Sequence, residues 1–104
     1  MNKYEIMMIF KPDLEENVRN KTLEDLKGVL TSNGGVIDNV SEEMGMRELA
    51  YEIQDYKKGY YVVIDTHTNT DDIAEFERLS RINANVLRHL TLRRDEKEEG
   101  ALND

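Results

Sequence analysis

The chain has no cysteine and only two histidines, and these shortages exclude several kinds of chemistry. Without cysteine there is no disulfide framework, no thiolate nucleophile and no cysteine-ligated zinc. His67 and His89 are widely separated, and neither stands beside a serine or carboxylate pattern that identifies a catalytic unit. We therefore expect no catalytic residue, no metal, no cofactor and no small-molecule substrate.

Long apolar runs are also missing. No run exceeds five residues, whereas a membrane-spanning helix needs about 20. Residues 1–5 carry neither the apolar stretch nor the small-residue cleavage site of a secretory signal. We expect a cytosolic protein that makes no use of a membrane.

Positive charge is scarce, since 14 lysines and arginines stand against 22 acidic residues for a net charge of -8. A protein that binds nucleic acid unaided normally presents a basic surface, so the composition opposes that function. Half of the net charge lies in residues 95–104, which hold five acidic residues and one lysine. This segment is almost free of apolar residues, and we predict a disordered acidic tail after a domain at 1–94.

Short stretches of strand-forming residues occur four times along the chain. Most are rich in β-branched or aromatic residues, and residues 4–10 alternate, which points Tyr4, Ile6, Met8 and Phe10 to one side. Gly45 interrupts the second stretch and predicts a bulge or a close backbone approach, while residues 54–59 are polar and predict a loop. The predicted strands are residues 4–10, 36–53, 60–67 and 86–94.

Two segments between these strands have helical spacing. In the first, Asp13 and Glu16 form a capping-box pattern, and glycines at 34 and 35 end the helix. In the second, Thr70 is placed to cap a helix that ends near Asn83. Apolar residues recur along one face of each, so both helices are predicted to pack against the sheet.

The order βαββαβ predicts an α+β fold, the ferredoxin-like split βαβ sandwich. Such a fold has a four-stranded antiparallel sheet with two helices on one face. The other face is open, and function should be sought there. Among the methionines, Met7 is the one we expect on that open face.

Basic residues near both termini form the most informative pattern. The first and last strands are neighbours in this fold, which could bring their basic and aromatic residues together as a phosphate-binding patch. Scattered, solvent-facing arginines are the alternative interpretation. The residues of this patch are Lys3, Tyr4, Arg88, Arg93 and Arg94, and a further basic residue, Arg47, follows Gly45 in the second strand.

Residues 45–53 resemble the signature of the bacterial small-subunit ribosomal protein six family, in which a basic residue, here Arg47, precedes Leu-Ala-Tyr-x-Ile. Residues 4–14 resemble the family's opening, which runs from Tyr-Glu into Pro-x-Leu. Residues 58–61 and 85–96 are placed as in that family. These matches cover residues 1 to 96 in the right order.

This resemblance implies a structural component of the bacterial small ribosomal subunit, with no enzymatic activity. It implies that the chain binds the central domain of 16S ribosomal RNA together with ribosomal protein eighteen, as a heterodimer on the ribosome in the cytoplasm. The residues expected to bind RNA are Lys3, Tyr4, Arg47, Arg88, Arg93 and Arg94. Those expected to bind the partner are Met7, Arg47, Leu49, Ala50 and Tyr51.

One departure from the family pattern shapes this hypothesis. Members often carry consecutive basic residues before Leu-Ala-Tyr, whereas here Arg47 stands between Met46 and Glu48. An acidic chain can still join a ribonucleoprotein if a basic partner neutralises most of the phosphates. We therefore expect RNA binding to depend on the partner, which contacts the open face and the second strand.

Two alternatives remain open. One is a homodimeric ferredoxin-like module that regulates or binds a ligand. The other is an acylphosphatase-like enzyme, which uses the same fold with an anion-binding loop after its first strand. The corresponding loop, residues 11–13, has no glycine to let the backbone approach a phosphate.

Overall fold

Six elements follow one another in the predicted order. The computed structural model describes residues 1–94, so the acidic tail predicted at 95–104 lies outside the described residues. The elements are β1 Asn2–Phe10, α1 Glu16–Thr31, β2 Val36–Ile53, β3 Tyr56–Thr68, α2 Thr70–Ile82 and β4 Val86–Arg93. None of the helices in the described range is long and apolar enough to cross a membrane.

The four strands form one antiparallel sheet in the order β2-β3-β1-β4. The central strand β1 pairs with both β3 and β4, so that Ile6 lies opposite Ile64 on one side and Thr91 on the other. The first and last strands are therefore neighbours, as predicted. The ferredoxin-like α+β fold class is confirmed.

The core lies between the helices and one face of the sheet. Alternate residues of β1 point towards the helices, as the alternation of apolar residues predicts, and Ile6, Met8 and Phe10 are fully buried. Both helices cover this face, since their buried apolar residues share a single cluster with those of β1. The helix members of that cluster are Leu23, Leu26, Leu30, Ile73 and Phe76.

The connection between β2 and β3 is shorter than predicted. Residues 54–59 were expected to form a loop, yet β3 already begins at Tyr56. Gln54 and Asp55 form a two-residue turn and both have positive φ, 50° and 68°, as a type I′ hairpin turn requires. The prediction was wrong because this turn lacks the usual Asn-Gly or Asp-Gly pair.

Both helix starts also differ from the prediction. Glu15 precedes α1 in extended conformation without a side-chain cap, and Asp13, two residues earlier, accepts a hydrogen bond from Tyr56. Asn69, not Thr70, caps α2, and its side-chain oxygen lies 2.7 Å from the backbone nitrogen of Asp72. Asparagine is among the strongest N-cap residues, so the cap moves one position earlier.

The predicted bulge in β2 is confirmed. Gly45 has a φ of +54°, which is left-handed backbone that glycine adopts without strain. The pairing of β2 with β3 changes register between Ser41 and Gly45. Beyond this point the strand continues to Ile53, as predicted.

Candidate functional site

The open face of the sheet has two distinct halves. The first half, called here the apolar groove, has a volume of about 400 Å³ and is lined by Met7, Ile9, Leu49, Ala50, Tyr51, Ile53, Tyr61, Arg88, His89 and Leu90. The second half, called here the polar cluster, consists of Lys3, Glu5, Asp38, Asp65, His67 and Arg94. All four strands contribute to this face.

Strand register explains the division. Met7 lies opposite Leu90 on β4, and Ile9 lies opposite Tyr61 on β3 and Arg88 on β4. Directly opposite residues of an antiparallel pair share one face of the sheet. The odd-numbered positions of β1 therefore face away from the helices, with the apolar ones at its carboxyl end.

The far part of the β2–β3 hairpin closes one side of the apolar groove. This part, residues 49–58, extends past the last pair between β1 and β3, Phe10 with Tyr60, and is called the arm below. Tyr51 of the arm contacts Arg88 of β4, although β3 and β1 separate β2 from β4 in the sheet. The arm therefore bends back over the open face.

Arg88 and Tyr51 meet at the mouth of the groove. The Arg88 Nη1 group donates a hydrogen bond to the Tyr51 hydroxyl oxygen. The guanidinium carbon lies 5.6 Å from the centre of the Tyr51 ring, within the usual range of cation–π contacts. One arginine thus joins the arm to the opposite edge of the sheet.

A second tyrosine attaches the arm to the other side of the molecule. The Tyr56 hydroxyl lies 3.3 Å from an Asp13 carboxylate oxygen, to which it donates a hydrogen bond. The Lys11 ammonium lies 5.8 Å from the centre of the Tyr56 ring. Burial, and then the neighbouring Asp13, raise the pKa of Tyr56 above 10.0. The hydroxyl therefore keeps its proton at neutral pH.

Gly59 allows the arm to approach β1 closely. A Cβ atom at this position would lie 2.3 Å from Cγ2 of Ile9 and 3.3 Å from Cδ2 of Leu49. Any side chain here would push these two residues away from their present positions. The floor of the groove therefore requires glycine.

Two pairs of side chains interact within the polar cluster. The Arg94 guanidinium lies 3.2 Å from the Glu5 carboxylate, and His67 Nδ1 lies 2.5 Å from Asp38. Asp65 faces Glu5 across the β1–β3 pair. This half of the open face carries both signs of charge and presents no apolar groove.

The structure brings the predicted partner-binding residues together, with one exception. Met7, Leu49, Ala50 and Tyr51 all line the apolar groove. Arg47 does not line it, and its Nε donates a 2.7 Å hydrogen bond to the carbonyl of Met44 on the same strand.

The predicted RNA-binding residues are dispersed. Tyr4 is only 5% exposed and belongs to the core, so its ring has no free face on which a base could stack. Arg93 lies opposite Tyr4 and is therefore on the helix side of the sheet, while Lys3 and Arg94 belong to the polar cluster. Lys3 and Arg94 do lie together, as predicted, and the Arg94 backbone N–H donates a 2.7 Å hydrogen bond to the Lys3 carbonyl. Tyr4 does not join them, because neighbouring residues of a strand point to opposite faces.

Some residues of the groove were not predicted. Ile9, Ile53, Tyr61 and Leu90 line it, and Gly59 shapes its floor. The alternation of β1 carries a signal for Ile9, which shares the parity of Met7. No sequence signal marks the arm's return to β4.

Comparison with known proteins identifies the family. The family model described as Ribosomal protein S6 matches residues 3–93. The chain belongs to the ribosomal protein S6 family. A crystal structure of 30S ribosomal protein S6 from Thermotoga maritima is 32% identical and superposes with a TM-score of 0.84. The match covers 98% of this chain and 95% of that one.

Family membership gives the coarse function: the chain is a ribosomal protein of the small subunit, from a family of structural proteins. Within residues 1–94, no group of three or more histidine or acidic side chains is arranged to hold a metal ion. The groups that the groove offers for binding are apolar side chains, aromatic rings and an arginine.

Proposed function

We propose that the chain binds the central domain of 16S ribosomal RNA as a heterodimer with ribosomal protein eighteen. In this proposal the apolar groove and the arm dock the protein partner. The observation that carries it is the exposure of apolar side chains around the groove, where Leu90 is 51% and Tyr51 60% exposed. Contiguous apolar surface of this kind marks an interaction site.

The net charge of the chain determines which of the two proteins neutralises the RNA phosphates. The chain carries a net charge of -8, so its own attraction to RNA phosphates is weak. A basic partner seated in the groove would neutralise most of the phosphates. Exposed arginines of this chain, such as Arg47 and Arg93, would then add a few direct phosphate contacts.

The proposal includes no chemical step. An acylphosphatase-like site would need a loop after β1 whose backbone N–H groups surround an anion. Here Asp13 of that loop places a carboxylate beside Tyr56, and a negative charge there disfavours an anionic substrate. The structure offers nothing in favour of the enzyme alternative.

A mobility-shift titration tests the proposal. A fragment of the 16S central domain is titrated with this chain alone, with ribosomal protein eighteen alone, and with both. We expect little shift with the chain alone and a clear complex when both proteins are present. Equally tight binding by the chain alone would contradict partner dependence.

The homodimer alternative is tested on the same samples. Light scattering gives the mass of the isolated chain, and the proposal expects a monomer that becomes a heterodimer with the partner. A stable dimer that binds neither the partner nor the RNA would favour the regulatory alternative.

A further inference from the structure

We infer that Arg88 acts in docking the protein partner and not in binding RNA phosphate. Its hydrogen bond to Tyr51, called here the clasp, holds the arm over the open face and sets the width of the apolar groove. The inference rests on the proposed function. Arg88 was expected to bind RNA, and the inference assigns it instead to positioning the site where the partner docks.

The surroundings of Arg88 are those of a positioning residue. Arg88 lies opposite the buried Ile9 on β1, and it faces Tyr51 of the arm. Among residues 1–94, the structure pairs its guanidinium with the Tyr51 hydroxyl and not with a carboxylate. A phosphate that reached Arg88 Nη1 from the side of the groove would have to displace Tyr51 and lie against aliphatic carbons, which costs free energy because its charge loses hydration there.

The arm depends on few attachments. Tyr56 attaches one side of it to Asp13, while the clasp attaches the other side to β4. Leu49 and Ile53, which line the groove, belong to the same length of β2 as Tyr51. Loss of the clasp would therefore let this wall of the groove move away from Met7 and Leu90.

The occupant that fits the groove is an aliphatic or methionine side chain of the basic partner. Its lining is mostly apolar, and its arginine is already engaged by Tyr51. A groove of this composition gains free energy by burying apolar carbon, whereas a phosphate or a basic side chain would lose hydration without a partner.

A double-mutant cycle on partner binding tests the clasp. Calorimetry measures the affinity of ribosomal protein eighteen for the wild-type chain, Arg88→Ala, Tyr51→Phe and the double variant. We expect each single change to weaken binding roughly tenfold, the effect of about 1.4 kcal/mol. The double variant should be about as weak as Arg88→Ala alone, because Arg88→Ala already removes the hydrogen bond that Tyr51→Phe removes. If the losses of affinity in the two single variants multiply in the double variant, to roughly a hundredfold in total, the inference is overturned.

Arg88→Lys separates the two roles of the arginine. Lysine binds phosphate as a point charge but lacks the planar group that both stacks on a ring and donates to the hydroxyl. We expect Arg88→Lys to bind the partner nearly as weakly as Arg88→Ala. Full recovery of partner affinity with lysine would overturn the clasp.

The salt dependence of RNA binding shows whether Arg88 contacts a phosphate, because a residue that only positions the arm does not change it. With the partner saturating, we expect the salt dependence of RNA binding to be the same for Arg88→Ala as for wild type. A slope reduced by about 0.9, with partner affinity retained, would assign Arg88 to a phosphate. The control is Arg78→Ala, which removes an exposed arginine paired with Glu75 on α2, and it should change neither measurement.

The outcomes distinguish this inference from the proposed function. If the wild-type chain does not bind the partner, both fail. If it binds and Arg88→Ala binds equally well, only the clasp fails. Thermal unfolding of each variant should remain close to wild type, because Arg88 and Tyr51 are both exposed.

Discussion

The apolar groove and the polar cluster lie on the same face of the same sheet, yet the first presents exposed apolar surface to a partner and the second presents charged groups. β1 supplies Met7 and Ile9 to the groove and Lys3 and Glu5 to the cluster. In the cluster Arg94 pairs with Glu5 and His67 with Asp38, and such partly exposed pairs contribute little free energy. In the part of the chain that the structure describes, Leu90 and Tyr51 of the groove remain largely exposed, and burial of such apolar surface stabilises a complex by about 25 cal/mol per Å². Docking strength should therefore reside in the groove.

The largest predicted effect comes from placing a charge in the groove. Leu90→Asp should weaken binding of ribosomal protein eighteen by about a hundredfold, because a carboxylate loses hydration when an apolar surface covers it. Calorimetry measures the loss. The control is Leu92→Asp, on the same strand and the same face but opposite Glu5 of the polar cluster. If both variants lose the same amount of partner affinity, the apolar groove and the polar cluster do not differ in docking.

The next largest effect concerns the floor of the groove. Gly59→Ala places a Cβ atom 2.3 Å from Ile9 Cγ2; it should lower the free energy of unfolding by about 1–3 kcal/mol, since overpacking displaces the arm. Partner binding should weaken with it. Gly28 in α1 has no atom within 4 Å of such a Cβ, and Gly28→Ala should instead stabilise by about 0.5–1 kcal/mol. Denaturant unfolding measures both, and a stabilised Gly59→Ala would show that the arm is not held against β1.

A smaller effect is expected in the polar cluster. Arg94→Ala breaks the 3.2 Å pair with Glu5, and we expect it to lower the free energy of unfolding by less than about 1 kcal/mol. Partner affinity should not change, whereas the salt dependence of RNA binding should weaken if Arg94 meets a phosphate. A tenfold loss of partner affinity would extend the docking surface into this half.

The smallest effect is a pH dependence near the groove. Burial lowers the pKa of His89 below 6.5, with Arg81 lowering it further and Glu77 partly opposing this. The unfolded chain then binds a proton more readily than the folded one, so stability falls as the pH drops from above 6.5 towards the folded-state pKa. His89→Gln should flatten this part of the pH profile of unfolding. An unchanged slope would show that His89 titrates alike in both states.

Much of the fold could be predicted because the signals are local. The parity of Tyr4, Ile6, Met8 and Phe10 gives the buried face of β1, and therefore places Met7 on the open face. Gly45 marks the bulge in β2. The helix starts were less predictable, because two neighbouring residues can each offer a cap: Asn69 caps α2 in place of Thr70, and α1 begins after Glu15 without a side-chain cap.

The site was only partly predictable because the contacts that form it are distant in sequence. Arg88 and Tyr51 are 37 residues apart, and no spacing rule joins them. The course of the arm depends on positive φ at Gln54 and Asp55; aspartate is common at such positions, but glutamine is not. The prediction for Tyr4 was wrong for the opposite reason. Tyr4 is adjacent to Lys3 in the sequence, yet the two side chains point to opposite faces of the sheet.

Methyl NMR of the isotope-labelled chain, titrated with unlabelled ribosomal protein eighteen, tests the central claim most directly. We predict shifts of the methyl groups that line the groove, those of Met7, Ile9, Leu49 and Leu90. Methyl groups of Val18 and Ile82, exposed on the helices, should remain in place. Movement of these helix signals while Met7 and Leu90 stay unchanged would contradict docking on the open face.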